Sequence, residues 1–166
     1  MIAFLAQTLL PFFVVVAGAY DFLTLRIPNW LNALIVLAFF PMALMTGMPA
    51  ETMLWHGLTA VVILVVGFGL FSGGFIGGGD AKLLAAAGFW IGWPAAGPFL
   101  VFTALAGGVL AIAFQVWGML RIEQEVREIG WAKRLLSFKA DLPYGIAIAA
   151  GAILAFPTTW WMSLSG

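Results

Sequence analysis

Long apolar runs decide what this chain can fold into. Residues 2–20, 30–48, 53–73, 97–119 and 143–162 are nearly free of ionisable groups, and a helix needs roughly 20 such residues to cross a bilayer core. A sixth run near 81–93 is shorter, bounded by Asp80 and by Trp93-Pro94. In lipid the backbone must satisfy its own hydrogen bonds, so runs of this length are expected to be helices. Hydrophobic residues make up 64% of the 166 positions and charged ones 8%. The mean hydropathy of +1.10 lies outside the range of soluble domains. The expected fold class is all-α: one polytopic membrane domain over 1–166, with six transmembrane helices.

Residues 2–16 followed by Ala17-Gly18-Ala19 imitate a cleavable signal peptide. Met1-Ile2-Ala3 lacks the basic n-region such a peptide carries, so the segment is read as a retained helix. Six spans put three connections (about 21–29, 74–82 and 120–142) on one side. All seven cations, Arg26, Lys82, Arg121, Arg127, Lys133, Arg134 and Lys139, fall in or beside them. The positive-inside rule makes that side cytoplasmic and both termini non-cytoplasmic. The expected location is thus a cytoplasmic membrane, with Trp55, Trp90, Trp93, Trp160 and Trp161 near the outer boundary and Trp30 and Trp117 near the inner one. The polar stretch 120–142 reads as an amphipathic element on the inner surface, a membrane anchor or a substrate-docking element. Zero net charge gives no sign of nucleic-acid binding, and the absence of cysteine removes disulfides, thiol nucleophiles and Cys-based zinc sites.

Two carboxylates stand out because charge is so scarce. Asp21 ends the first apolar run, and Asp80 closes GGFIGGGD; both fall at the cytoplasmic side. An ionisable group at the edge of a bilayer core is a functional-site candidate. Asp80 also reads as an N-cap, being an Asp just before an Ala/Leu-rich helix. Asp21 also reads as a boundary residue snorkelling to the interface. Held close, two carboxylates share a proton, so one can activate water while the other polarises a carbonyl. Such a pair hydrolyses amides without a cofactor. Paired carboxylates serve proton relays too, so a transporter or assembly scaffold is the alternative class.

Around the pair, Lys82 and Arg26 read as positive-inside anchors or as groups that tune the site or contact substrate. Pro28 and Asn29 mark a loop before a helix that begins at Trp30. Gly77, Gly78 and Gly79 allow the backbone to bend into a cavity or approach a substrate strand, while Gly69/Gly73 and Gly107/Gly108 read as helix-packing positions. His56 is read as an interfacial residue at the opposite side.

Three segments carry a resemblance. Asp21 with Ile27-Pro28-Asn29, then GGGDAKLL at 77–84, then LPYGIAIAAG at 142–151, resemble in this order the type IV prepilin peptidases, membrane aspartic proteases of the GxGD class. Tyr20-Asp21 with GxGD and a later Leu-Pro is also similar to presenilin-like intramembrane proteases, but the IPN segment favours the prepilin peptidases. The resemblance implies Asp21 and Asp80 as the catalytic pair, Gly77 and Gly79 as the motif glycines, and Tyr144 within the Pro-Tyr-Gly segment as a supporting residue. It implies no cofactor or metal. The implied substrate is a prepilin with a basic leader and an apolar helix, cut after glycine at the cytoplasmic face. The size resembles the short branch serving Flp/Tad-type pili; the long branch adds an N-methyltransferase activity and an insert with paired CxxC motifs, and this chain has no cysteine.

Overall fold

The computed structural model describes residues 1–119 and 142–165, so the 120–142 element falls almost wholly outside the described residues. Among the described residues, six α-helices follow the apolar runs: α1 (Ile2–Thr24), α2 (Asn29–Met45), α3 (Ala50–Ser72), α4 (Gly78–Ile91), α5 (Trp93–Met119) and α6 (Tyr144–Ala155). Two 3-10 turns, Phe156–Thr158 and Trp160–Ser165, follow α6. No strand occurs among the described residues. By length and composition, α1, α3 and the Trp93–Val116 part of α5 can cross a membrane, whereas α2 and α6 are shorter apolar helices.

The two shortest helices occupy the middle. Along α4, Asp80, Ala81 and every residue from Leu83 to Ile91 are buried. α4 packs on α3, α2 and α6, while α6 fills the space between α5 and α1. Small side chains allow these approaches. A Cβ at Gly67 would lie 3.3 Å from Cα of Ala81, and one at Gly18 would lie 3.2 Å from the Gly145 carbonyl. The outward faces are apolar instead: Leu44, Leu54, Val65, Leu105 and Val109 are all exposed. A soluble domain rarely exposes so much contiguous apolar surface, and a lipid-facing one must.

The end away from the aspartates is closed by an aromatic cluster. The Phe39 ring centroid lies 4.0 Å from that of Phe89, and Trp90 and Trp161 are 5.0 Å apart. This corrects the boundary expectation for two tryptophans. Trp90 and Trp161 are fully buried, and their indole N–H groups donate to Ile35 O at 2.8 Å and Trp90 O at 2.7 Å. An indole buried this way finds a partner for its N–H and need not sit at the interface. His56 is likewise buried rather than interfacial, with Nδ1 donating to Phe89 O at 2.7 Å. Trp55, Trp93 and Trp30 are exposed, as boundary residues would be. The last run also ends earlier than its apolar length predicts, because α6 stops at Ala155 and Pro157 initiates the 3-10 turns.

Candidate active site

Three chain segments meet at the opposite end. The first is the C-terminus of α1. Leu25 adopts the left-handed conformation (φ 54°, ψ 31°) and its N–H donates to Asp21 O at 2.7 Å. This ends the helix one turn after Asp21. The Thr24 hydroxyl, 2.7 Å from Tyr20 O and 2.9 Å from Arg26 O, ties the turn to the last helical residues. Pro28 then caps α2 in extended conformation. The chain thereby folds back over Asp21 and brings Arg26, Ile27, Pro28 and Asn29 beside it.

The second segment is the start of α4. The helix begins at Gly78 rather than 81, so Asp80 is its third residue and not its N-cap. Asp80 Oδ2 accepts from Gly77 N at 3.1 Å, the backward half of a capping box. The glycine run acquires a steric reason. A Cβ at Gly77 would sit 2.8 Å from Asp80 Oδ2, and one at Gly79 would sit 3.3 Å from the Ile27 Cβ. Gly78, between them, would meet only the Phe71 ring, at 3.4 Å. The first and third glycines thus let Asp80 fold back and let α4 press against the Ile27 segment.

The third segment opens α6. Gly145 N donates to Asp21 Oδ2 at 2.8 Å, in a buried bond that joins residues 124 positions apart. Only glycine fits, since a Cβ there would come 2.8 Å from the Asp21 Cβ. A helix N-terminus offers unpaired N–H groups and a partial positive charge, so it favours a carboxylate. Gly145 is the site residue that sequence reasoning missed. The Pro-Tyr-Gly segment drew attention to Tyr144, whose half-buried ring packs instead near Gly107 of α5.

Both aspartates are buried, Asp21 with 4% and Asp80 with 7% of its surface exposed. Both line one open cavity of about 590 Å³. Gly77, Gly78, Gly79, Arg26, Pro28 and Asn29 line it too, as do Tyr20, Thr24, Leu25, Ile27 and Leu142. Of the residues singled out from sequence, Lys82 and Tyr144 stand outside that lining. The exposed Lys82 ammonium donates to Asn29 Oδ1 at 2.8 Å and borders a neighbouring groove. It reaches the cavity only through Asn29. Among the described residues, Asp21, Asp80 and His56 are the buried ionisable side chains, and two of the three converge here.

Residues 8–112 match the model of the type IV leader peptidase family. The chain is 34% identical over 93 residues to "Prepilin leader peptidase/N-methyltransferase" of Burkholderia pseudomallei strain 1026b, and equally to that of strain K96243. The aligned part covers 55% of this chain and 25% of each relative. No solved structure matches significantly. With more than half of its length matched by that family's model, including the stretch that carries both aspartates, this chain belongs to the type IV leader peptidase family.

Proposed function

We propose that the protein is an aspartic endopeptidase that removes the leader from prepilin-like substrates, with Asp21 and Asp80 as the catalytic pair. The observation that carries this reading is the convergence of two buried carboxylates, from α1 and α4, on one open cavity. One carboxylate is ionised and the other protonated, because like charges in a poorly solvated site do not both ionise cheaply. The ionised member takes a proton from water as the oxygen attacks the scissile carbonyl. The protonated member hydrogen-bonds that carbonyl and supplies its proton. On collapse, the amine leaves with the proton that the first carboxylate took from water, while the second carboxylate recovers a proton from the gem-diol, which releases leader and mature chain. The Gly145 and Gly77 N–H groups hold the two carboxylates in place.

In this reading the chain is a single domain of six spans in the bacterial cytoplasmic membrane, with both termini outside. The cations of the three connections support the orientation. The cavity then faces the cytoplasm, where a basic leader would be met, and the cut follows a glycine. Arg26, Pro28 and Asn29 at its rim bind the extended segment that carries the scissile bond, and Lys82 positions Asn29.

The test uses the purified chain in liposomes and a synthetic peptide of basic leader, glycine and apolar helix. Asp21→Asn and Asp80→Asn should each abolish cleavage while insertion and thermal stability persist. Cleavage surviving either change removes that residue from the pair.

A further inference from the structure

α2 and α3 are joined by a turn of a few residues, yet they hardly pack against each other. Between them runs a groove of about 690 Å³, floored by Ala85, Ala86 and Phe89 of α4. Its walls are almost wholly apolar, with Gly57 and Ala60 on the α3 side leaving room for a close backbone. Asn29 lines both this groove and the cavity that holds the aspartates. The two spaces are therefore neighbours, with the Asn29 side chain between them.

One residue in the groove is out of character. Asn32 is 6% exposed, and neither its Nδ2 nor its Oδ1 has a hydrogen-bond partner. A buried amide left unpaired is costly, so such a group asks for an occupant that satisfies it. It lies one turn beyond Asn29 along α2, toward the interior of the groove.

We infer that the groove receives the apolar helix that follows the scissile bond of the substrate, and that the Asn32 amide meets the unpaired backbone at the start of that helix. The inference rests on the peptidase reading and extends it to the membrane part of the substrate. A scissile peptide must be extended to be cut, so the substrate helix begins just after it. The first four N–H groups of a helix have no partner within it, and lipid offers none. Asn is a preferred capping residue because its side-chain oxygen accepts such an N–H. From Asn29 to Phe40 the α2 wall extends about 16 Å at 1.5 Å per residue, or three turns of a docked helix. A lipid chain would fill the apolar part equally well but leave Asn32 unpaired, which favours a peptide.

The experiment cross-links a bound but uncut peptide. In the Asp21→Asn background, a photoreactive p-benzoylphenylalanine replaces either Val61, which lines the groove, or Val109, exposed on α5. The protein is held in phosphatidylcholine–phosphatidylglycerol liposomes with a synthetic peptide of basic leader, glycine and about 20 Leu/Ala residues, long enough to span. Illumination should give a peptide adduct from position 61 and none from 109. Asn32→Leu should lower the yield about tenfold, equivalent to one buried hydrogen bond, while raising Tm because an unpaired polar group is gone. A merely structural Asn32 would not produce that opposite pair of changes. Peptide adducts equally strong at 109, or adducts at 61 with lipid or a second copy alone, overturn the inference. So does a yield indifferent to Asn32→Leu. Failure of the peptidase reading is read separately, as the absence of peptide cleavage by the parent protein with Asp21 intact.

Discussion

At the scale of single residues, the motif glycines make separable predictions, because each is glycine for a different reason. Gly145→Ala drives a methyl into the Asp21 side chain, 2.8 Å from its Cβ. The backbone N–H is retained, so the carboxylate is displaced rather than deprived of its donor. Misplacement of a catalytic group by about 1 Å costs on the order of 100-fold, and that loss in kcat is expected with little change in KM. Gly77→Ala meets Asp80 Oδ2 in the same way and should behave alike. Gly79→Ala presses on the Ile27 Cβ and backbone at 3.3–3.5 Å. It should cost less, about tenfold, a barrier increase of about 1.4 kcal/mol. Gly78→Ala meets only the Phe71 ring at ordinary contact distance and should remain within about threefold of the parent, as expected of a substitution that breaks no contact. Peptide cleavage rates of the four variants check the order. A Gly78→Ala defect as large as that of Gly77→Ala would contradict the steric account of the motif.

At the scale of elements, the six helices of the described residues were legible because each follows an apolar run nearly free of ionisable groups, although only α1, α3 and α5 reach the length that a span needs. The convergence of the aspartates was legible more coarsely, since charge asymmetry assigned both to one side of the membrane. Other features left weaker signals. An Asp preceded by glycines and followed by alanines looks the same whether it caps a helix or occupies its third position, so the start of α4 at Gly78 was not apparent. Gly145 stands among many small residues that pack helices, and only the approach of α6 to α1 shows that it contacts Asp21. Pro157 stands just past the point where α6 stops, but it lies within a continuous apolar run that hides the helix end. Tryptophans near a helix end read as interfacial, yet Trp90 and Trp161 are core. That last difference makes a prediction. Trp161 seals the aromatic end by donating to Trp90 O at 2.7 Å while its own carbonyl accepts from Gln7 Nε2 at 3.1 Å. Trp161→Ala should destabilise by about 3–5 kcal/mol. Trp161→Phe keeps most of the apolar bulk and leaves the Trp90 carbonyl unpaired, at about 1–3 kcal/mol. Denaturation in mild detergent measures both, and an interfacial Trp161 would tolerate either change.

At the scale of the whole molecule, the sidedness of the cavity decides whether the proposed chemistry has access to its substrate. Asp21 at the end of α1, Asp80 at the start of α4 and Gly145 at the start of α6 share one end of the bundle, while Glu51 opens α3 at the other. The chain has no cysteine, so single cysteines can be introduced without altering a background. Phe75→Cys lies in the exposed turn between α3 and α4, at the cavity end, and Glu51→Cys is exposed at the far end. Arg26 and Lys82 lie at the Phe75 end, and the sequence carries its five other cations between 120 and 142. Such an excess is retained on the cytoplasmic side during insertion. A membrane-impermeant maleimide should therefore label Phe75→Cys in inverted membrane vesicles and Glu51→Cys in right-side-out ones. The converse pattern would place the cavity on the outer face, where a cytoplasmic leader cannot reach it. The pair of aspartates could then still hydrolyse a peptide, but the substrate would have to be one already exported.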